Sequence, residues 1–214
     1  EINRIETDKL STLLVAPTKT AITNLEREGL FNSLLSGDIM HDNAIHFTKE
    51  LNCIKTSSVL VTMHRPSNVD ATERLRSWID SISDFCIDNK ISAIFPVHPR
   101  TEKGLIEIFG KDFKSPLINK SIKAIKPVGY IELLKLLKSS SLVITDSGGV
   151  QKEAYSCGTS SVVIRHNTEW VELIDCGHSV LCPEPSDLME LAKSKHSQII
   201  DTSDNLYGDG NASV

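Results

Sequence analysis

Two histidine–arginine pairs and one Gly-Gly turn are the parts of this chain with chemistry to offer. Leu142 to Gly158 reads as a strand, LVIT, that ends in Asp146-Ser147-Gly148-Gly149 and runs straight into a helix, VQKEAYSC. A strand, a glycine turn and a helix start make an anion site. Glycines admit a phosphate close to the backbone, the first helical N–H groups lack internal partners, and the helix dipole adds partial positive charge. Ser147 can cap that helix or donate its hydroxyl to the phosphate. Glu153 falls on the same helix face as Gly149, one turn or ~5–6 Å further on, where a sugar attached to the phosphate would lie. An acceptor-only carboxylate there suits both hydroxyls of a ribose. The plainer alternative is a turn followed by a surface Glu on an ordinary helix. Ser147, Glu153 and the strand context together favour the anion site.

The strand VLVTM delivers His64-Arg65-Pro66 at its carboxyl end, the edge of an open α/β sheet where ligands bind. Imidazole and guanidinium side by side suit a diphosphate. His64 can protonate a leaving phosphate as a general acid or simply hydrogen-bond to it; a purely structural His at a strand end is an equal alternative. Phe95-Pro96-Val97-His98-Pro99-Arg100 brings a second His and Arg to the same edge, a weak signal alone that gains weight as the third polar strand terminus. A Ser/His/Asp hydrolase centred on Ser147 is excluded because Asp-Ser-Gly-Gly lacks the G-x-S-x-G elbow. A nicotinamide-binding Rossmann site is excluded because no G-x-G-x-x-G follows a first strand.

The elements that must position these residues follow from periodicity. SSVLVT, ISAIFPV, SIKAIKPV, SSLVITD, SSVVIR and HSVLCP are the strands, and helical stretches separate them. Asp70 to Ile87, with Leu75, Trp78, Ile79 and Ile82 on one stripe, and Ile131 to Lys138, with Leu133, Leu134, Leu136 and Leu137, are covering helices. The expected fold is α/β, a Rossmann-like doubly wound parallel sheet. Upstream, the first dozen residues read as a helix already under way from Glu1, followed by the strand-like LLVAP and a helix from Thr18 to Glu28 stopped by Gly29. A single βα unit cannot bury its own sheet face, so residues 1–40 are expected to be the remnant of a preceding domain plus a linker around Ser33 to Asp42. In that linker Gly37 and Asp38 are turn formers, and residues 41–214 form the main domain. With Glu1 in place of an initiator Met, the chain reads as cut from something larger, with the apolar surface a first domain would cover left exposed. The terminal Tyr207-Gly208-Asp209-Gly210-Asn211 reads as a turn-rich stretch with no evident packing role.

Composition narrows the partners. With 23 Lys plus Arg against 28 Asp plus Glu, the net charge of -5 supplies no global field for nucleic acid or an anionic membrane, so any phosphate must be held locally. The five cysteines, Cys53, Cys86, Cys157, Cys176 and Cys182, show no CxxC pair and no zinc spacing, and are expected to be reduced, partly buried thiols. No metal site is expected. No apolar run approaches the ~20 residues needed to span a bilayer, so a cytoplasmic protein is expected.

VLVTMHRPSNVD, FPVHPRT, PVGYIELLKLL, ITDSGGVQKEAYSCG, RHNTEWVEL and YGDGNAS, with APTKTAITNLEREG near the start, occur in the order of one family. At these segments the chain resembles the non-hydrolysing UDP-N-acetylglucosamine 2-epimerases over nearly its whole length. Hydrolysing relatives carry a Gly-Asn-Ser-Ser-type loop where Asp-Ser-Gly-Gly stands here. The resemblance implies a glycosyltransferase-B-type arrangement of two Rossmann-like domains, of which this chain matches the end of the first and the second, UDP-binding one. It implies a reaction that inverts C2 of the sugar by eliminating UDP to a 2-acetamidoglucal and re-adding it, with no cofactor. It further implies a UDP-sugar substrate, a homodimer for the full-length protein and a place in cell-surface polysaccharide biosynthesis.

Carried over by motif, Ser147, Gly148 and Gly149 hold the diphosphate, Glu153 the ribose, and His64 the phosphate of the leaving UDP as the catalytic residue of this set. Val128 and Leu133 fall where the family lines its uracil pocket, and Arg65 and His98 where some bacterial members contact an activating second UDP-sugar. Trp170 stands where well-known bacterial members have an Arg reaching the substrate, which places the accepted acylamino sugar in question. The family's carboxylates proposed to move the C2 proton lie upstream of Glu1, so the 214-residue chain is expected to bind UDP and scarcely turn over. A UDP-sugar glycosyltransferase of the same architecture and a non-catalytic nucleotide-binding module are the rival readings.

Overall fold

A computed structural model describes residues 2–196, 198, 200, 202 and 204–212; Glu1 and Ser213, which the readings above include, lie outside it. The chain opens with α1 (Ile2–Leu10), β1 (Leu14–Ala16), α2 (Lys19–Arg27) and β2 (Ser33–Leu35), and β1 and β2 form a separate two-stranded parallel sheet. The segment read as a linker from Ser33 thus begins as a strand and ends inside a helix. That helix, α3 (Ile39–Thr48), starts where Asp38 caps it by accepting from Met40 N at 2.7 Å and His41 N at 3.3 Å. Gly37 turns the chain at φ +82°, as its reading as a turn former required. Leu13, Val15, Phe31, Leu34 and Leu35 are exposed around the small sheet, as expected of a unit too small to bury its own face.

The main sheet is built from β3 (Val59–Thr62), β4 (Ala93–Pro96), β5 (Ile122–Ile125), β6 (Leu142–Thr145), β7 (Ser161–Val163) and β8 (Ser179–Leu181), each within one of the six expected strand segments. Its order is β5-β4-β3-β6-β7-β8, all parallel. Counted from β3 as first, this is the 3-2-1-4-5-6 order of doubly wound Rossmann sheets, with its switch point between β3 and β6. Helices α4 (Pro66–Val69), α5 (Thr72–Asp88), α6 (Pro99–Phe109), α7 (Lys114–Asn119), α8 (Tyr130–Ser139), α9 (Gly148–Ser156), α10 (Val171–Asp175) and α11 (Leu188–Lys195) make the connections.

Strand alternation divides the core between the two faces. Val59, Val61, Leu142 and Ile144 meet α5, α6 and α11 through Trp78, Ile79, Phe85, Leu105 and Leu188, while Leu60 and Val143 meet α3, α8 and α9 through Ala44, Leu134, Leu137, Val150 and Ala154. Each fully buried Val, Leu, Ile or Phe among them contributes about 1.5–3 kcal/mol. The sheet is therefore clad on both sides, which is why β6 is buried at all four positions and reads Leu-Val-Ile before its closing Thr145.

The turn-rich terminus has the packing role its sequence concealed. Tyr207 is fully buried, edge-on to Tyr155 at 5.6 Å and to Trp170 at 5.9 Å, and its carbonyl accepts from Asp38 N at 2.8 Å. A Cβ at Gly37 would stand 2.8 Å from that same carbonyl, so only glycine lets the two segments touch. Isolated turn residues carry no periodicity, so nothing local announced the contact.

Among the described residues no helix is long and apolar enough to cross a membrane. The five cysteines are free thiols, with Cys86 and Cys182 buried.

His178 lies buried beside β8, its Nδ1 3.0 Å from Ser179 Oγ and its ring edge-on to Tyr155, while Nε2 has no partner among the described residues. Burial, and then the Lys195 charge, push its imidazole down to about 4 from an ordinary 6.5. The unfolded chain takes up this proton first as pH falls, so the native state keeps this contribution above about 6.5 and loses it down to about 4, a change of about 3 kcal/mol. Urea melts from pH 7 to pH 4 should fall less steeply for His178→Gln than for the wild type; parallel slopes would refute the assignment.

Candidate functional site

The carboxyl ends of β3 and β6 pair in register to their last residues, Thr62 opposite Thr145, whose hydroxyls lie 2.6 Å apart. Thr145 Oγ1 in turn accepts from Ser147 N at 2.9 Å, holding the turn that opens α9. Ser147 is the cap of α9, its Oγ accepting from Val150 N at 3.5 Å, which leaves the Gly148 and Gly149 amides at the helix start without intrahelical acceptors. A Cβ at Gly149 would come within 3.2 Å of Met40 Cε, so glycine keeps this approach open as well as the backbone exposed.

Asp146, which the sequence reading passed over, ties the two strand ends together. It is fully buried and accepts from His64 N (3.1 Å), Arg65 N (2.9 Å) and Asn68 Nδ2 (3.1 Å), with His64 Nδ1 a further 3.2 Å contact. Asn68 also donates to Ile164 O at 3.0 Å and accepts from Trp78 Nε1 at 3.3 Å, so the core of α5 holds the turn that carries His64. Arg65 Nε donates to Asp146 O at 2.8 Å. The available signal was an Asp at a buried strand end; its partners, about eighty residues away, could not be read locally.

His98 arrives beside His64, ring centroids 5.4 Å apart, and its Nδ1 caps α6 by accepting from Arg100 N at 3.1 Å. Arg100 turns away to a bidentate pair with Asp70, both contacts 2.7 Å. Glu153 is 5% exposed, which disposes of the surface-Glu alternative, and its burial raises its carboxyl above the usual range. Burial and the Glu153 charge push the Tyr130 phenol up to about 12, and Leu133 packs on the cluster that holds Val150 and Ala154. Val128 is half-buried in the turn ahead of α8. Thus the structure brings His64, Arg65, His98 and Ser147 to Gly149 to one sheet edge, with Glu153 one helical turn below and Leu133, on α8, against the cluster to which α9 contributes Val150 and Ala154.

A second feature escaped the sequence reading. Residues 150–155 of α9 are buried without interruption, including Lys152. Its ammonium pairs with Asp38 and sits 4.1 Å from the centre of the Trp170 ring. Trp170 Nε1 is buried, has no partner among the described residues, and lies 3.5 Å from where a Cβ on Gly148 would stand.

A sheet of this order, with its polar strand ends and an uncovered helix start gathered at the switch point, defines a Rossmann-like α/β protein of the kind found in glycosyltransferase-B-type folds. The chain belongs to the UDP-N-acetylglucosamine 2-epimerase family, whose model matches residues 1–214. It is 39% identical, over all of its length and 60% of the relative's, to the UDP-2,3-diacetamido-2,3-dideoxy-D-glucuronate 2-epimerase of Pseudomonas aeruginosa. It is 36% identical, over 99% of its length and 61% of the relative's, to a UDP-N-acetylglucosamine 2-epimerase of Methanococcus maripaludis. The crystal structure of Methanocaldococcus jannaschii UDP-GlcNAc 2-epimerase in complex with UDP-GlcNAc and UDP superposes with a TM-score of 0.84 at 32% identity, covering 99% of this chain and 61% of that one. The chain thus spans about three fifths of the length of the relatives it matches.

Proposed function

We propose that this chain is the UDP-holding part of a UDP-N-acetylglucosamine 2-epimerase, with residues 1–40 belonging to a first Rossmann-like domain and 41–214 forming the nucleotide-binding one. The observation that carries the reading is the junction of β3 and β6. It places an imidazole, a guanidinium and a free helix start on one edge, one turn above a buried carboxylate. In this reading the Gly148 and Gly149 amides and Ser147 take the diphosphate, Glu153 accepts from the ribose hydroxyls, and Val128 and Leu133 line the uracil. His64 hydrogen-bonds to or protonates the departing phosphate, and Arg65 and His98 face the neighbouring activator position, Arg65 from the side next to the diphosphate. The reaction uses no cofactor. Groups that move the C2 proton come from elsewhere in the full-length enzyme, a cytoplasmic homodimer serving cell-surface polysaccharide synthesis.

Trp170 favours a second reading of the substrate alone. An indole whose N–H is unpartnered beside Gly148 offers one neutral donor where an Arg would offer a charge, which suits a UDP-acylamino sugar other than UDP-N-acetylglucosamine.

Calorimetric titration of the chain with UDP and 2′-deoxy-UDP tests the site. UDP is expected to bind more tightly than the deoxy compound, and Glu153→Gln to weaken UDP roughly tenfold while narrowing the difference between them. No UDP binding would end the proposal. In heavy water, the C2 proton of UDP-N-acetylglucosamine should persist with this chain alone, and its exchange would overturn the assignment of proton transfer to residues outside it.

A further inference from the structure

Glu169 occupies an odd position for an acid. Its Oε2 stands 3.4 Å from where a Cβ on Gly148 would lie, beside the helix start that attracts anions. Arg165 grips both carboxylate oxygens at 2.8 Å, and Arg65 Nη2 lies 3.6 Å from Oε1. These contacts, Arg165 first among them, hold the carboxyl down at about 2, so it is an anion at every physiological pH. The two partners differ in their freedom. The Glu169 side chain is 53% exposed and can swing out, whereas that of Arg165 is 8% exposed and cannot follow it into water. A buried guanidinium left without an anion is costly, and a phosphate offers it the same bidentate geometry as a carboxylate.

We propose that Glu169 is a resident counter-anion which a diphosphate displaces, Arg165 and Arg65 passing from its carboxylate to the incoming phosphate oxygens. Glu169 is then a positioning residue: it keeps both guanidinium groups aimed at the first turn of α9 while no ligand is bound, and it sets the affinity by competing for them. The inference rests on the nucleotide reading above and adds to it an exchange of one anion for another. It predicts selectivity for the phosphate portion of the ligand.

The test compares wild type, Glu169→Gln and Glu169→Asp for binding of UDP and of uridine. Glu169→Gln should tighten UDP roughly tenfold and leave uridine within about twofold. Glu169→Asp, which keeps the charge, should stay near wild type for both and guards against a folding artefact in the first variant. By NMR, the Arg165 Nε–H signal of the wild type should move on addition of UDP and stay fixed on addition of uridine. If wild type binds UDP while Glu169→Gln binds it no more tightly, or gains equally for uridine, the exchange is refuted and the nucleotide site stands. A stationary Arg165 signal reduces Glu169 to a distant repulsive charge and also refutes it. If wild type binds no UDP, the nucleotide reading falls and takes the exchange with it.

Discussion

Asp38→Ala and Lys152→Met, made singly, are each expected to destabilise the protein by about 3–5 kcal/mol, because each strands its partner's charge in the interior. The two side chains are 7% and 6% exposed. Asp38 does more than pair: it also accepts from Met40 N and His41 N at the start of α3. Asp38→Asn keeps an acceptor for that cap, worth about 1 kcal/mol, and removes only the charge, so it separates the two roles. Lys152 in turn supports the Trp170 ring, 4.1 Å away. The double replacement Asp38→Leu with Lys152→Met leaves no orphaned charge and should cost clearly less than the sum of the singles. Urea melts of the four proteins measure this. Single variants within 1 kcal/mol of wild type would show that solvent reaches the pair after all.

The second large effect is expected at Asp146. Its removal by Asp146→Ala leaves the amides of His64 and Arg65 and the Asn68 side chain without their acceptor, at about 1–3 kcal/mol for each donor that stays buried. The functional loss should exceed what stability alone dictates. Without the tie, the turn carrying His64 and Arg65 is no longer fixed against the start of α9, and UDP affinity should drop on the order of a hundredfold, or about 3 kcal/mol. Asp146→Asn keeps one acceptor oxygen and should fall between the two. Calorimetry gives the affinity, and hydrogen exchange at the His64 and Arg65 amides reports whether the turn has opened. Undiminished UDP binding in Asp146→Ala would mean that β3 and β6 present the site independently.

Both sites mark the boundary between what the sequence discloses and what the fold adds. Features decided by neighbours in the chain were mostly legible, although the segment read as a linker from Ser33 holds a strand and the start of a helix. The six strands of the main sheet declared themselves by β-branched runs, α2 by its start at Thr18 and its stop at Gly29, and the junction of β6 with α9 by Ser147, Gly148 and Gly149. The motifs from VLVTMHRPSNVD to YGDGNAS were enough for the family, because a run of identities in fixed order needs no geometry.

What only the tertiary structure decided depends on partners far apart in sequence. Asp146 looked like one more residue of a turn until the parallel pairing of β3 with β6 set two backbone amides against it. Lys152 drew no reading from the sequence. Beyond its first turn α9 is buried between the sheet, α3 and the returning terminus, and Asp38, more than a hundred residues earlier, supplies the charge that makes the burial of Lys152 tolerable. Tyr207 looked like part of a loose end, yet it closes over Tyr155 and Trp170. The physical reason is the same in each case. Local conformation follows from steric and hydrogen-bonding preferences within a few residues, whereas the cost of burying a charge or a polar group depends on what the fold brings to meet it.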